Sequence, residues 1–108
     1  MKTKERIEAL RVALLKAIAE AKQFNQVDDG GTSNFDNPVI NLEGWKDSEV
    51  REAFLLTGLR VYKEKNEFYT ILGVCTNGQG FRRTAMAEAF RDSLRTSGYT
   101  AYVEYRMD

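Results

Sequence analysis

Residues able to do chemistry crowd into one stretch, Cys75-Thr76-Asn77-Gly78-Gln79-Gly80-Phe81-Arg82-Arg83-Thr84. Gly78 and Gly80 bracket Gln79, and a Gly-polar-Gly turn lets the backbone bend tightly and come close to a guest. Asn77 and Gln79 carry amides that either read a base or ribose edge or satisfy the turn's own backbone. Arg82 and Arg83 follow, each with a forked set of N–H donors that stays charged near neutral pH. A helix starting here adds unpaired N–H groups and the positive end of its dipole. Cations are mildly disfavoured at that end, so two of them together point to an anion. The chemistry is that of a phosphate cradle. It lacks the lysine of a nucleotide-hydrolysing phosphate loop.

A second concentration lies in the long connection from Asn25 to Pro38, where Asp28, Asp29, Asn34 and Asp36 surround the lone aromatic Phe35. Connections this long without periodicity tend to be functional or disordered. Phe35 either stacks on a ring whose edges Asp29 and Asn34 read, or pins the loop into the core. Asp28, Asp29 and Asp36 match a calcium loop only loosely. Farther on, Arg91 and Arg95 stand one helical turn apart. They either clamp a second phosphate or pair with Glu88 and Asp92.

Absences restrict the chemistry further. With no histidine and a single cysteine, the chain has no Ser-His or Cys-His dyad, no internal disulfide and no cysteine-rich metal site. Cys75 ends an apolar run and reads as a small buried hydrophobe. A binder rather than an enzyme is expected, with no cofactor or metal. The net charge of zero argues against nonspecific nucleic-acid binding. No apolar run is long enough to cross a membrane and no signal-peptide pattern appears, so a cytoplasmic location is the expectation.

The elements that must hold these residues can be read from periodicity. At 108 residues, with 43% hydrophobic and 30% charged content, one soluble domain is expected. It divides into an N-terminal helix (1–25), a long loop (26–38) and a β-α-β-β-α-β unit (39–108). In the helix, Ile7, Leu10, Leu14, Ala17, Ala21 and Phe24 recur at steps of three and four. That stripe serves either packing within the domain or a homodimer, since its spacing is close to a heptad. Val39 to Leu42 reads as a strand. A helix from Ser48 to Thr57 follows, capped by Asp47 and closed by Gly58. Trp45 at the corner before it is either a core lid or a binding platform.

Strands are expected over Leu59–Glu64 and Glu67–Cys75, joined through Lys65-Asn66. The second is apolar on both faces, which predicts a central place in the sheet. A helix over Thr84–Leu94 is closed by Gly98, and Tyr99–Met107 alternates as a half-buried strand. The order is that of a ferredoxin-like α+β fold, with an antiparallel sheet and helices on one face. The first and third strands are expected to run parallel. The Glu43–Asp47 corner and the glycine loop would then share one end of the sheet, with the aspartate-rich loop entering at the other. A dimer would be needed to bring the two loops together.

Taken together, Asp-Gly-Gly-Thr-Ser-Asn-Phe-Asp-Asn-Pro (29–38) and Gly-Gln-Gly-Phe-Arg-Arg-Thr-Ala-Met-Ala-Glu-Ala-Phe (78–90) resemble small proteins of bacteriophages, prophages and mobile elements. Among these the chain looks most like the Thoeris anti-defence sponge family, over most of its length after the first helix. That resemblance implies sequestration of a cyclic ADP-ribose-type immune signal in an infected bacterium, without turnover. In the family, arginines hold phosphates and an aromatic holds adenine, at sites built by a homodimer. It implies phosphate contacts for Arg82, Arg83, Arg91 and Arg95, stacking for Phe35 and a polar reader in Asn77. Another expectation is a protein-binding inhibitor of a host factor. A nucleic-acid module and a metal-dependent nucleotide enzyme using Asp28, Asp29 or Asp36 come after it.

Overall fold

The computed structural model describes residues 3–24, 36–75 and 80–106. In chain order its elements are α1 (Thr3–Lys22), β1 (Asn37–Asn41), α2 (Asp47–Phe54), β2 (Arg60–Lys65), β3 (Phe68–Leu72), α3 (Gly80–Thr96) and β4 (Thr100–Glu104). The four strands form one antiparallel sheet in the order β2-β3-β1-β4. This is the expected ferredoxin-like α+β arrangement, and β3 occupies a central position.

The apolar face of the sheet is made by Ile40, Tyr69, Ile71, Ala101 and Val103, all buried. Ile40 stands opposite Tyr69 on one side and Ala101 on the other, so these side chains share one face. The helices pack on it through Leu10 and Leu14 of α1, Val50 and Ala53 of α2, and Phe90 and Leu94 of α3. α1 packs against both α2 and α3, which do not meet each other among the described residues. It is therefore the middle helix of three, and its stripe of Ile7, Leu10, Leu14, Ala17 and Ala21 is spent inside the chain.

Several boundaries depart from expectation. α1 ends at Lys22, which leaves Phe24 exposed beyond it instead of on the buried stripe. α2 starts at Asp47 with Lys46 as the cap, because Glu49 Oε1 accepts the Lys46 N–H at 2.7 Å. Asp47 instead accepts from the Tyr69 hydroxyl and faces Lys63 Nζ at 3.5 Å. α2 stops at Phe54, short of Gly58, and the chain turns through Leu56 at φ 67°. The β2–β3 turn falls one residue later than expected, on Asn66 and Glu67. Asn66 takes φ 52° there, and the strand is irregular between Lys63 and Lys65. β3 stops at Leu72, short of Cys75, and β4 ends at Glu104.

The direction of β3 corrects a larger expectation. β3 returns from β2 through a tight hairpin and is inserted beside β1, so it runs antiparallel to both. Chain entry to β1 and chain exit from β3 consequently lie at the same end of the sheet. The Glu43–Asp47 corner lies at the opposite end. The end of the aspartate-rich connection and the start of α3 therefore meet within one copy of the chain.

The face away from the helices is uncovered among the described residues. Register aligns Tyr62, Thr70, Val39 and Tyr102 in one cross-strand row. Val39 and Thr70 are nevertheless inaccessible to solvent. Thr70 Oγ1 donates to Glu64 Oε2 at 2.8 Å, and the Glu104 carboxyl stands near that of Glu64. The Thr70 bond holds the Glu64 carboxyl below the usual carboxylate range. The neighbouring Glu64 pushes Glu104 up. Arg106 Nε, 3.2 Å from Glu104 Oε1, works against that rise.

Candidate functional site

The corner at the amino end of α3 is built from Gly80. Its φ of 59° turns the chain into the helix four residues earlier than expected. Such a value is open to glycine at little steric cost. The first turn that follows holds Phe81, Arg82 and Arg83 and contains no acidic residue. Arg83 and Arg82 are partly buried, whereas Phe81 is 59% exposed.

Arg83 spans from the helix to the sheet. Its Nε donates to the Asp36 carbonyl at 3.1 Å and its Nη2 to Asn37 Oδ1 at 2.8 Å. Asp36 answers from the other side. Its Oδ2 accepts from Thr84 Oγ1 at 2.6 Å and its Oδ1 from the Arg106 backbone N–H at 2.7 Å. One buried carboxylate thus links the start of β1, the start of α3 and the segment after β4. These bonds fix the bearing of the α3 amino end, where N–H groups and the dipole favour an incoming anion. With both oxygens occupied by donors, Asp36 is the fastener of this corner. No group of three or more metal-ligating side chains occurs among the described residues.

Of the residues singled out in the sequence, Gly80, Arg82 and Arg83 come together here. Arg91 and Arg95 do not, since they lie about 12 and 18 Å beyond Arg83 along the α3 axis at about 1.5 Å per residue. Arg91 Nε donates to Asp92 Oδ1 at 2.8 Å, and its Nη1 lies 3.5 Å from the Tyr105 hydroxyl. The Asp92 bond raises the Arg91 pKa. Arg95 Nε donates to the Ala101 carbonyl at 2.8 Å. With Glu88, which accepts from the Tyr105 hydroxyl at 2.6 Å, these side chains lace α3 to β4 and its exit. Asp28, Asp29, Asn34, Phe35, Asn77, Gly78 and Gln79 lie outside the described residues.

Sequence reasoning passed over three participants. Phe81 was given no role from the sequence, and its exposure beside two arginines is visible only in the fold. Thr84 and Asp36 were noticed for other reasons, and their mutual hydrogen bond joins positions far apart in the chain.

Two surface grooves stand elsewhere among the described residues. One of about 390 Å³ lies between the starts of α1 and α2. Arg6 crosses it, ion-paired to Glu49 and stacked 4.5 Å from the Trp45 ring centre. Trp45 is thereby a lid packed on the core. The other, of about 340 Å³, lies between α1 and α3 and is lined by Lys16, Phe24 and Ser93 among others. Neither concentrates donors of one sign as the α3 start does. No described helix is long and apolar enough to cross a membrane.

No protein-family model, curated protein or solved structure matches the chain.

Proposed function

We propose that the chain is a binding protein for a phosphate-bearing nucleotide, held at the amino end of α3 without turnover. The observation that carries the reading is the first turn of α3. It has two arginines and no acid, at the helix end that already attracts negative charge. Arg82 and the turn's amides would receive phosphate oxygens, and Arg83 would keep the turn aimed while lending charge. Phe81, exposed next to them, would supply a flat apolar surface for a base. Histidine-free chemistry suits a guest that is held rather than transformed. The resemblance noted above narrows the guest to a cyclic ADP-ribose isomer and the role to sequestering an immune signal during phage infection.

The test is calorimetry against a panel of cyclic and linear nucleotides, with recovery of unchanged ligand after heat denaturation. Arg82→Ala should weaken binding about tenfold or more, as loss of a charge-assisted contact does. Arg83→Ala should lower both affinity and Tm, because that guanidinium also ties Asp36 and Asn37. Absence of binding across the panel, or an Arg82→Ala variant with unchanged affinity, would refute the proposal.

A further inference from the structure

α1 carries a second apolar stripe that the chain itself does not cover. Glu8, Val12, Leu15, Ala19 and Lys22 follow one another at steps of four, three, four and three. That is the seam spacing of a two-stranded coiled coil. All five are exposed, Val12 and Leu15 at 58% and 46%. The buried stripe of Ile7, Leu10, Leu14, Ala17 and Ala21 lies on another side of the helix, against the chain's own core.

A second feature adjoins it. Arg11 Nε donates to the Leu55 carbonyl at 3.1 Å, and its Nη2 donates to the Glu52 carbonyl, which anchors the end of α2 beside the middle of α1. There the chain exposes two consecutive leucines. Leu55 is 60% exposed and Leu56 92%. Leu56 also holds φ 67°, a left-handed value that costs a branched side chain energy and that glycine would adopt freely. A backbone held against its preference so as to turn a leucine outward suggests that something receives the side chain.

We propose that this face docks a second copy of the same chain, α1 against α1 in antiparallel orientation, about a two-fold axis beside Leu15. That the partner is a second copy follows from charge. An antiparallel two-fold that sets Leu15 against its own counterpart sets Val12 opposite Ala19. It also sets Glu8, which the chain already pairs with its own Arg11 at 2.7 Å, opposite Lys22, so opposite signs face each other at both ends. A parallel pairing would set Glu8 against Glu8 and Lys22 against Lys22. Leu55 and Leu56 stand exposed beside it, and the face would form the apolar centre of an interface, for which roughly 800 Å² per partner is the usual size. Isologous pairing is the usual symmetry for such a self-matching surface. It differs from a dimer through the buried stripe, which folding has already consumed, and it does not depend on the ligand proposed for the α3 corner.

The test is sedimentation of the full chain over a wide concentration range, with circular dichroism as the control for folding. A monomer–dimer equilibrium is expected. Leu15→Glu should raise the dissociation constant at least about tenfold, since the two-fold introduces the substitution twice. Glu8→Lys and Lys22→Glu should each weaken association, and the double exchange should restore it. Leu15→Cys with Cys75→Ser should give a disulfide-linked dimer on oxidation, in which two α1 helices cross at that residue. A strict monomer at every concentration would overturn the proposal. So would a dimer indifferent to Leu15→Glu, or a double exchange that does not recover the single losses.

Discussion

Asp36 is 3% exposed, and its carboxylate accepts from the Thr84 hydroxyl and the Arg106 amide. Its carbonyl accepts from Arg83. Hydrogen bonds to a charged group contribute about 1.5–3 kcal/mol each, and removing the acceptor strands its buried donors. Asp36→Ala should therefore lower unfolding free energy by about 3 kcal/mol in chemical denaturation. It should also weaken ligand binding at the α3 start without touching a ligand group. Glu64 and Glu104 interact differently, as two carboxyls near enough that a proton on one eases the charge on the other. Glu104 is pushed above the usual carboxylate range by Glu64, so the folded chain binds this proton more tightly than the unfolded chain. Stability from Glu104 is complete below its ordinary pKa and lost as pH rises through the folded value. Glu64 has the opposite sign and loses its contribution as pH falls. Glu104→Gln keeps a donor for Glu64 and removes the repulsion. Denaturation midpoints measured from mildly acid to neutral pH should rise at the neutral end and become flatter across it; an unchanged profile would exclude coupling between the two carboxyls.

At the scale of elements, the two later helices end by contrasting devices. α3 closes with Gly98 at φ 99°, the Gly98 N–H reaching the Arg95 carbonyl and the Tyr99 N–H reaching Leu94, both at 3.0 Å. This is a six-to-one glycine closure of the kind a sequence announces. α2 closes through Leu55 and Leu56, which announce nothing. Arg11 from another helix takes up α2's last carbonyls instead. Leu56→Gly should relieve the left-handed leucine at a smaller entropic loss and raise Tm in dilute solution. The expected gain is roughly 1 kcal/mol. A fall in Tm in dilute solution would show that Leu56 stabilises the single chain. The amino end of α3 was foreseeable as a helix start, yet its true origin at Gly80 was not. That origin depends on a positive φ that a glycine permits but does not demand.

Over the whole molecule, strand order was legible because alternation marked β4 as half-buried and an unbroken apolar run marked β3 as central. Strand direction was misjudged, and the error mattered more than any boundary. It separated the entry to β1 from the start of α3, which a hairpin insertion in fact brings to one end of the sheet. The hub at Asp36 left no local trace, because its partners stand at Thr84 and Arg106 and no periodicity links such distant positions. Tyr62, Thr70, Val39 and Tyr102 were likewise unreadable as a row until register aligned them.

The seat of α1 between α2 and α3 has a bearing on how the protein is made. α1 emerges from the ribosome before α2 and α3, and it cannot settle until α3, one wall of its berth, has been synthesised. Its leucines must wait bare until then, a span in which exposed apolar surface invites chaperones or stray partners. The first of the three helices is in this sense the keystone, dropped in after the arch is up.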